Sequence, residues 1–234
     1  MFLTVLNLKT LKVKLIYMDK LDISLMYVTD DRILDKEKFF EVLNGALAGG
    51  ATIIQLREKS MDSKSFIERA IKVKEMCKNY NVPLLINDRL DVALAVNADG
   101  LHIGQKDIPY KIARKFLGKD KIIGISISNQ MELKAANDTG ADYVGLSPIF
   151  STSTKNEDLA SPIGIGGLKK FKAISKKPII CIGGVNDINL GTIFLNGADG
   201  VAVVSAISSS TNPMNFTRNL KKIISMSKNY NNNI

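Results

Sequence analysis

GADGVAVVSAI, residues 197–207, reads as a helix end, a turn and a buried strand in quick succession. A glycine closes a helix in the left-handed conformation, and the β-branched run behind it suits a strand. The same joint recurs upstream as Gly49-Gly50-Ala51, Ala98-Asp99-Gly100 and Gly140-Ala141-Asp142. Working outward from these joints, β-rich runs stand at ISLMYVTD (23–30), ATIIQLR (51–57), VPLLIND (82–88) and GLHIGQ (100–105). Four more follow at IIGISIS (122–128), YVGLSPIF (143–150), PIICIGG (178–184) and GVAVVSAI (200–207). Between them apolar residues recur at three and four, as in DKEKFFEVLNGALAGG (35–50) and DSKSFIERAIKVKEMCKNY (62–80), the spacing of helices that bury one face. Eight β–α units without a linker predict a single (β/α)₈ TIM barrel over residues 23–228. An open doubly wound sheet usually has fewer strands and a different glycine signature. Residues 1–22 are read as an N-terminal extension of unassigned role, with Met18 an alternative start, and 229–234 (NYNNNI) as a frayed tail.

Composition sets the outer bounds. Of 234 residues, 45% are apolar and 24% charged, a balance that excludes disorder as the dominant state. Cys77 and Cys181 are the only cysteines, too few for a disulfide framework. No apolar run reaches the ~18 residues of a membrane span, and Lys9, Lys12 and Lys14 interrupt the opening stretch, which makes a poor signal peptide. A soluble, cytoplasmic protein with free thiols is expected, with no membrane partner. The formal charge of +9 is uneven: residues 168–234 carry nine Lys/Arg against Asp187 and Asp199. Those lysines flank helical patterns and are not interleaved with aromatics, so no nucleic-acid partner is expected. A field that attracts small anionic substrates fits them, and homo-oligomerisation stays open.

In a barrel of this kind, catalysis sits at the C-terminal ends of the strands and phosphate binds after strands 7 and 8. Strand 2 ends in Gln55-Leu56-Arg57-Glu58-Lys59, where alternation puts Gln55, Arg57 and Lys59 on one side and Leu56 on the other. Two cations and an amide suit a phosphate or diphosphate; a surface ion pair through Glu58 is the plainer alternative. Strand 3 ends in Asn87-Asp88-Arg89 and strand 4 in Gly104-Gln105-Lys106-Asp107. Two carboxylates facing a phosphate site match the needs of Mg²⁺, unless Asp88 merely pairs with Arg89 or caps a helix. Strand 5 offers Ser126 and Ser128. Strand 6 runs into Pro148-Ile149-Phe150-Ser151-Thr152-Ser153-Thr154-Lys155, a hydroxyl-rich lid candidate closed by a cation. Gly183-Gly184-Val185 and Val204-Ser205-Ala206-Ile207 end strands 7 and 8 as a phosphate cup. His102, the single histidine, falls mid-strand and reads as structural or supporting. With no zinc cluster, serine triad or dinucleotide motif, the chemistry is expected to rest on electrostatics, a metal and positioning.

Taken in order, QLREK (55–59), INDR (86–89), GLHIGQKD (100–107), GLSPIFSTSTK (145–155), IGGV (182–185) and VSAI (204–207) resemble thiamine phosphate synthase, from about Met26 to Ile207. The resemblance implies a Mg²⁺-dependent transferase of thiamine biosynthesis. Such an enzyme joins 4-amino-2-methyl-5-(diphosphomethyl)pyrimidine to a thiazole phosphate and releases pyrophosphate. It implies that Gln55, Leu56, Arg57, Glu58 and Lys59 bind the pyrimidine diphosphate, with Arg57 and Lys59 on its oxygens. Asn87 and Ser126 would meet the pyrimidine or its diphosphate arm, and Lys155 would reach the diphosphate from the lid. By the same resemblance Arg57, Lys59, Ser126 and Lys155 would form the catalytic set. Asp88 and Asp107 would hold Mg²⁺, while Thr152, Ser153, Thr154, Gly184, Val204 and Ser205 would meet the thiazole phosphate. Ser151 stands where family members often carry proline, and the first 17 residues precede the usual start. A thiazole tautomerase shares the barrel but uses a histidine where this chain has Ser128; a non-catalytic phosphate-binding barrel is the third reading.

Overall fold

Asp35 and Asp62, where the sequence begins its first two helical patterns, cap those helices: their carboxylates accept from the N–H groups of Lys38 (2.6 Å) and Ser65 (3.0 Å). The computed structural model describes residues 21–152 and 161–232. In chain order the elements are β1 (Leu25–Val28), α1 (Lys36–Gly49), β2 (Ile53–Leu56), α2 (Ser63–Asn79), β3 (Leu84–Asn87), α3 (Leu90–Ala95), β4 (Gly100–Ile103) and α4 (Tyr110–Leu117). They continue as β5 (Ile122–Ile127), α5 (Gln130–Asn137), β6 (Tyr143–Leu146), α6 (Gly164–Ile174), β7 (Ile179–Ile182), α7 (Leu190–Leu195), β8 (Gly200–Val203), α8 (Ser205–Ser208) and α9 (Pro213–Asn232). Each strand pairs in parallel with the next, and β8 pairs with β1 through Leu25↔Val201, Met26↔Ala202 and Tyr27↔Val203, so the barrel closes.

Alternation divides every strand between two layers. Met26, Val28, Ile53, Leu85, Tyr143, Ile180 and Ala202 fill the barrel interior. Their neighbours, among them Leu25, Tyr27, Ile54, Leu56, Leu84, Ile86, Leu101 and Val144, pack under the surrounding helices. The strands are shorter than the apolar runs that announce them, because the polar end of each run leaves the ladder. Most plainly, the expected strand 200–207 stops at Val203, and Ser205–Ser208 turn into α8.

At the opposite end of the barrel, the recurring joints do more than break helices. The left-handed residues there are Gly50 (φ 100°), Asn97 (φ 49°) and Gly197 (φ 96°), and Gly140 is not among them. The element common to the joints is a side-chain acceptor ahead of each even strand. Asp99 accepts from Leu84 N–H (2.9 Å), Asp142 from Ile123 N–H (2.8 Å) and Asp199 from Ile179 N–H (2.7 Å). Thr52 Oγ1 does the same for Leu25 N–H (3.0 Å). The first N–H of β1, β3 and β7, and the second of β5, which the ladder leaves unpaired, thereby find a partner.

Residues 1–20 of the N-terminal extension lie outside the described residues. Asp22, at its end, belongs to the barrel: Lys221 of α9 donates to Asp22 Oδ2 (2.9 Å) and to Ser24 Oγ (3.1 Å). At the other terminus α9 runs through Asn232, into residues expected to fray. Extending an anchored helix adds one hydrogen bond per residue without a new nucleation cost, which outweighs the weak propensity of asparagine.

Asp142 also carries an ion pair with Arg114 (2.8 Å) in a buried setting. Asp142→Ala should therefore cost about 3 kcal/mol, against at most half as much for the more exposed Asp199. Thermal unfolding should show Asp142→Ala melting about 6–12 °C below the parent.

Candidate active site

The ends of β2, β3 and β4 stand side by side and bring a cation pair and a carboxylate pair together. Arg57 forms an ion pair with Asp31 (2.6 Å), and Lys59 one with Asp88. The Arg57 backbone is pinned, since its N–H donates to Thr29 Oγ1 (2.9 Å) at the end of β1. Asp88 takes a left-handed backbone (φ 62°) that few residues other than glycine, asparagine and aspartate tolerate. Its N–H donates to His102 O (2.8 Å), and the turn aims its carboxylate at Asp107. Burial, followed by the Asp88 carboxyl beside it, pushes the Asp107 carboxyl above the usual range, although Gly104 N–H donates to it (2.7 Å).

Two adjoining carboxylates whose mutual repulsion raises one of them form a donor set that a divalent cation relieves. Among the described residues no cluster of three or more acidic, histidine or cysteine ligands occurs. A pair that leaves most of the coordination shell to substrate and water fits magnesium better than zinc.

Ser126 sits beside this group, across from Gln105, whose amide donates to Ser126 O. Ser126 Oγ is 2.8 Å from His102 Nε2, and His102 Nδ1 is 2.8 Å from the Tyr143 hydroxyl. Burial lowers the His102 pKa to about 4, so the imidazole is neutral at pH 7. Asn87, inward-facing at the end of β3, is buried in register with His102.

Across the mouth, Gly183 (φ 99°) and Gly184 (φ 66°) turn the chain at the end of β7. A Cβ on Gly184 would lie 2.5 Å from Ser151 O and 2.9 Å from Phe150 Cβ, so the loop after β6 rests directly on this glycine. Asn189 Nδ2 donates to Gly184 O (2.8 Å), fixing its carbonyl. Val204 and Ser205 open α8, which Asp30 ties to β1 by accepting from Ser208 Oγ (2.7 Å). Thr152 is half-buried at the edge of the same loop.

Four expectations need comment. The Leu56 side chain is wholly in the helix-facing core, so it offers a ligand no side-chain contact. Glu58 likewise faces outward: it is buried against Arg69, whose guanidinium lies over the Phe39 ring, because alternation turns it away from Arg57 and Lys59. Its ion pair is enclosed, not a surface pair. Arg89 pairs with Asp91 and Ser63, leaving Asp88 to Lys59. Ser153, Thr154 and Lys155 lie outside the described residues.

Asp30, Asp31, Tyr143 and Asn189 were not among the candidates. The strand-end rule that singles out Asp88 applies equally to Asp30 and Asp31, which follow β1. Tyr143 had no such signal, because it enters at the beginning of its strand.

The backbone at Asp88 gives a test of site against fold. Asp88→Gly relieves the left-handed backbone and should leave the melting temperature within a degree or two of the parent. Asp88→Ala keeps the strain and should cost about 1 kcal/mol by thermal or denaturant unfolding.

The family model described as thiamine monophosphate synthase matches residues 25–207, from the first residue of β1 into α8. Over 183 residues the chain is 47% identical to the thiamine-phosphate synthase of Clostridium novyi strain NT, covering 78% of this chain and 89% of the relative. It is 39% identical over 207 residues to the thiamine-phosphate synthase of Persephonella marina, covering 88% and 98% respectively. Among solved structures, thiamine phosphate pyrophosphorylase from Pyrococcus furiosus superposes with a TM-score of 0.80 at 33% identity, over 88% of this chain and 98% of that one. These matches span the closed barrel and every described strand end that forms the mouth, and the chain therefore belongs to the thiamine monophosphate synthase family, transferases of thiamine biosynthesis.

Proposed function

We propose that the protein condenses 4-amino-2-methyl-5-(diphosphomethyl)pyrimidine with a thiazole phosphate, giving thiamine phosphate and pyrophosphate, with Mg²⁺ held by Asp88 and Asp107. The observation that carries this reading is the convergence of Arg57, Lys59 and the Asp88–Asp107 pair on one side of the mouth. That pattern suits a substrate arm with several negative charges. The cup at Gly184 and Ser205 lies across the barrel, because β7 and β8 stand opposite β3 and β4 in the closed order.

Arg57 and Lys59 are held at the mouth by Asp31 and Asp88, so their side chains are already placed where a diphosphate would exchange carboxylate oxygen for phosphoryl oxygen. Both interactions strengthen as charge gathers on the departing oxygen, which lowers the barrier to breaking the C–O bond. A magnesium ion bound there would add charge to the same leaving group. Loss of the diphosphate leaves a cation stabilised by the aminopyrimidine, and the thiazole nitrogen captures it. Asn87 and Ser126 orient the pyrimidine; Gly184, Val204 and Ser205, with Thr152, hold the thiazole phosphate, joined by Ser153 and Thr154. Lys155 completes the diphosphate contacts. No strong base is required, in keeping with a single, neutral, enclosed histidine. Two buried thiols pushed up to about 12 suit a reducing cytoplasm.

A pyrophosphate-release assay with both substrates tests the reading. Release matched by thiamine phosphate and dependent on Mg²⁺ is expected. Thiazole isomerisation without pyrophosphate would indicate a tautomerase, whose histidine position holds Ser128, here bonded through N–H and Oγ to Glu132. Binding of both substrates without turnover would indicate a non-catalytic barrel. Asp88→Asn should abolish Mg²⁺-dependent turnover.

Arg57→Lys separates charge from geometry, since lysine keeps the charge but loses the planar fork. Losing one charge-assisted contact to the leaving group costs about 2–4 kcal/mol. That is roughly a 30- to 1000-fold fall in single-turnover rate. Thiazole-phosphate affinity, measured by titration calorimetry, should hardly change; the reverse pattern would exchange the two anion sites.

A further inference from the structure

Inside the barrel, polar side chains from four strands meet in a row: Gln55 of β2, Tyr143 of β6, His102 of β4 and Ser126 of β5. Register explains how they reach each other. His102 pairs with Gly124, and Gly124 with Tyr143, so the residue between the two rings has no side chain. A Cβ on Gly124 would lie 2.1 Å from Tyr143 Cζ. The rings stack across that gap with centroids 5.6 Å apart.

The row has a direction. Gln55 Nε2 is 3.3 Å from Met26 Sδ, and a thioether can only accept, which fixes the amide nitrogen on that side. The Gln55 side chain also donates to the Tyr143 hydroxyl oxygen. The tyrosine proton then needs an acceptor of its own, and His102 Nδ1 lies 2.8 Å away. Were Nδ1 protonated instead, the buried hydroxyl proton would lose that partner, at a cost comparable to a whole hydrogen bond. With Nδ1 accepting, the imidazole proton sits on Nε2 and is donated to Ser126 Oγ. Ser126 keeps one proton of its own to give away.

We propose that Tyr143 and His102 are positioning residues that hold the imidazole in its Nε2–H form and thereby present Ser126 as a hydrogen-bond donor to an acceptor atom of the pyrimidine diphosphate. The identity of that ligand rests on the function proposed above; the direction of the relay does not. With Nε2–H on one lone pair of Ser126 Oγ, the serine proton is available to a ligand acceptor at that place.

The chain holds one histidine, so the ¹⁵N spectrum of the untagged protein at pH 7.5 reads His102 without assignment. The pattern of a neutral Nε2–H imidazole is expected; an Nδ1–H imidazole would overturn the relay, whatever the enzyme does. Kinetics then test its purpose. Ser126→Ala and His102→Leu should each raise the KM for the pyrimidine diphosphate roughly 3- to 12-fold, the worth of one hydrogen bond, and leave that for the thiazole phosphate unchanged. His102→Leu should add nothing in the Ser126→Ala background. His102→Gln, which puts an amide N–H where Nε2–H stood, should restore the KM and serves if the leucine variant fails to fold. Additive losses, or no rescue by glutamine, would mean that His102 does not act through Ser126. An Nε2–H spectrum from a protein that releases no pyrophosphate would sink the ligand assignment and leave the relay standing.

Discussion

Closure of the parallel ladder between β8 and β1 is the constraint from which the rest follows. A closed sheet has no edge, so each strand residue is committed either to the interior or to the layer beneath the helices. The ladder is sealed at its N-terminal end by Thr52, Asp99, Asp142 and Asp199, which supply acceptors to the odd strands. That end is stability machinery. The C-terminal ends are thereby free to carry polar groups that would be ruinous in the middle of the sheet.

The interior changes character along the axis. Towards the bottom it is apolar, with Ile53, Leu85 and Ile180, and with Gly100 giving room: a Cβ there would fall 2.6 Å from Leu85 Cδ2. Towards the C-terminal ends of the strands come Gln55, Asn87, His102 and Ser126. Among the described residues no buried side-chain nitrogen or oxygen lacks a hydrogen-bond partner, which is what makes such a layer tolerable inside a protein. Enclosure lowers the histidine's pKa to about 4 and raises the tyrosine's, so both rings are uncharged at pH 7.

At the mouth, opposite charges are held in pairs and like charges are forced together at one point. Asp31 and Asp88 restrain Arg57 and Lys59, while Asp88 and Asp107 face each other at the cost of a raised carboxyl and a left-handed backbone. Strain and repulsion concentrated in a single carboxylate pair are features of a binding site more than of a scaffold. The two melting experiments on Asp142 and Asp88 address these two ends of the barrel separately.

The amino-acid sequence by itself determined the eightfold alternation, the starts of the first two helices, the family and the polar character of the strand ends. All of these are local or periodic, and a two-residue or 3.6-residue period is visible in a linear text. Only the tertiary structure decided who faces whom. Glu58 sits beside Arg57 and Lys59 in sequence yet turns outward to Arg69, and Asp88 chooses Lys59, 29 positions away, over the adjacent Arg89. The aspartates of the helix–strand joints looked like parts of turns until the register set them against N–H groups of neighbouring strands. The Gln55–Tyr143–His102–Ser126 row draws on four strands, and its members meet because Gly124 leaves a gap between two rings. Such pairings depend on strand register and on an absent side chain, and neither is written in the residues on either side.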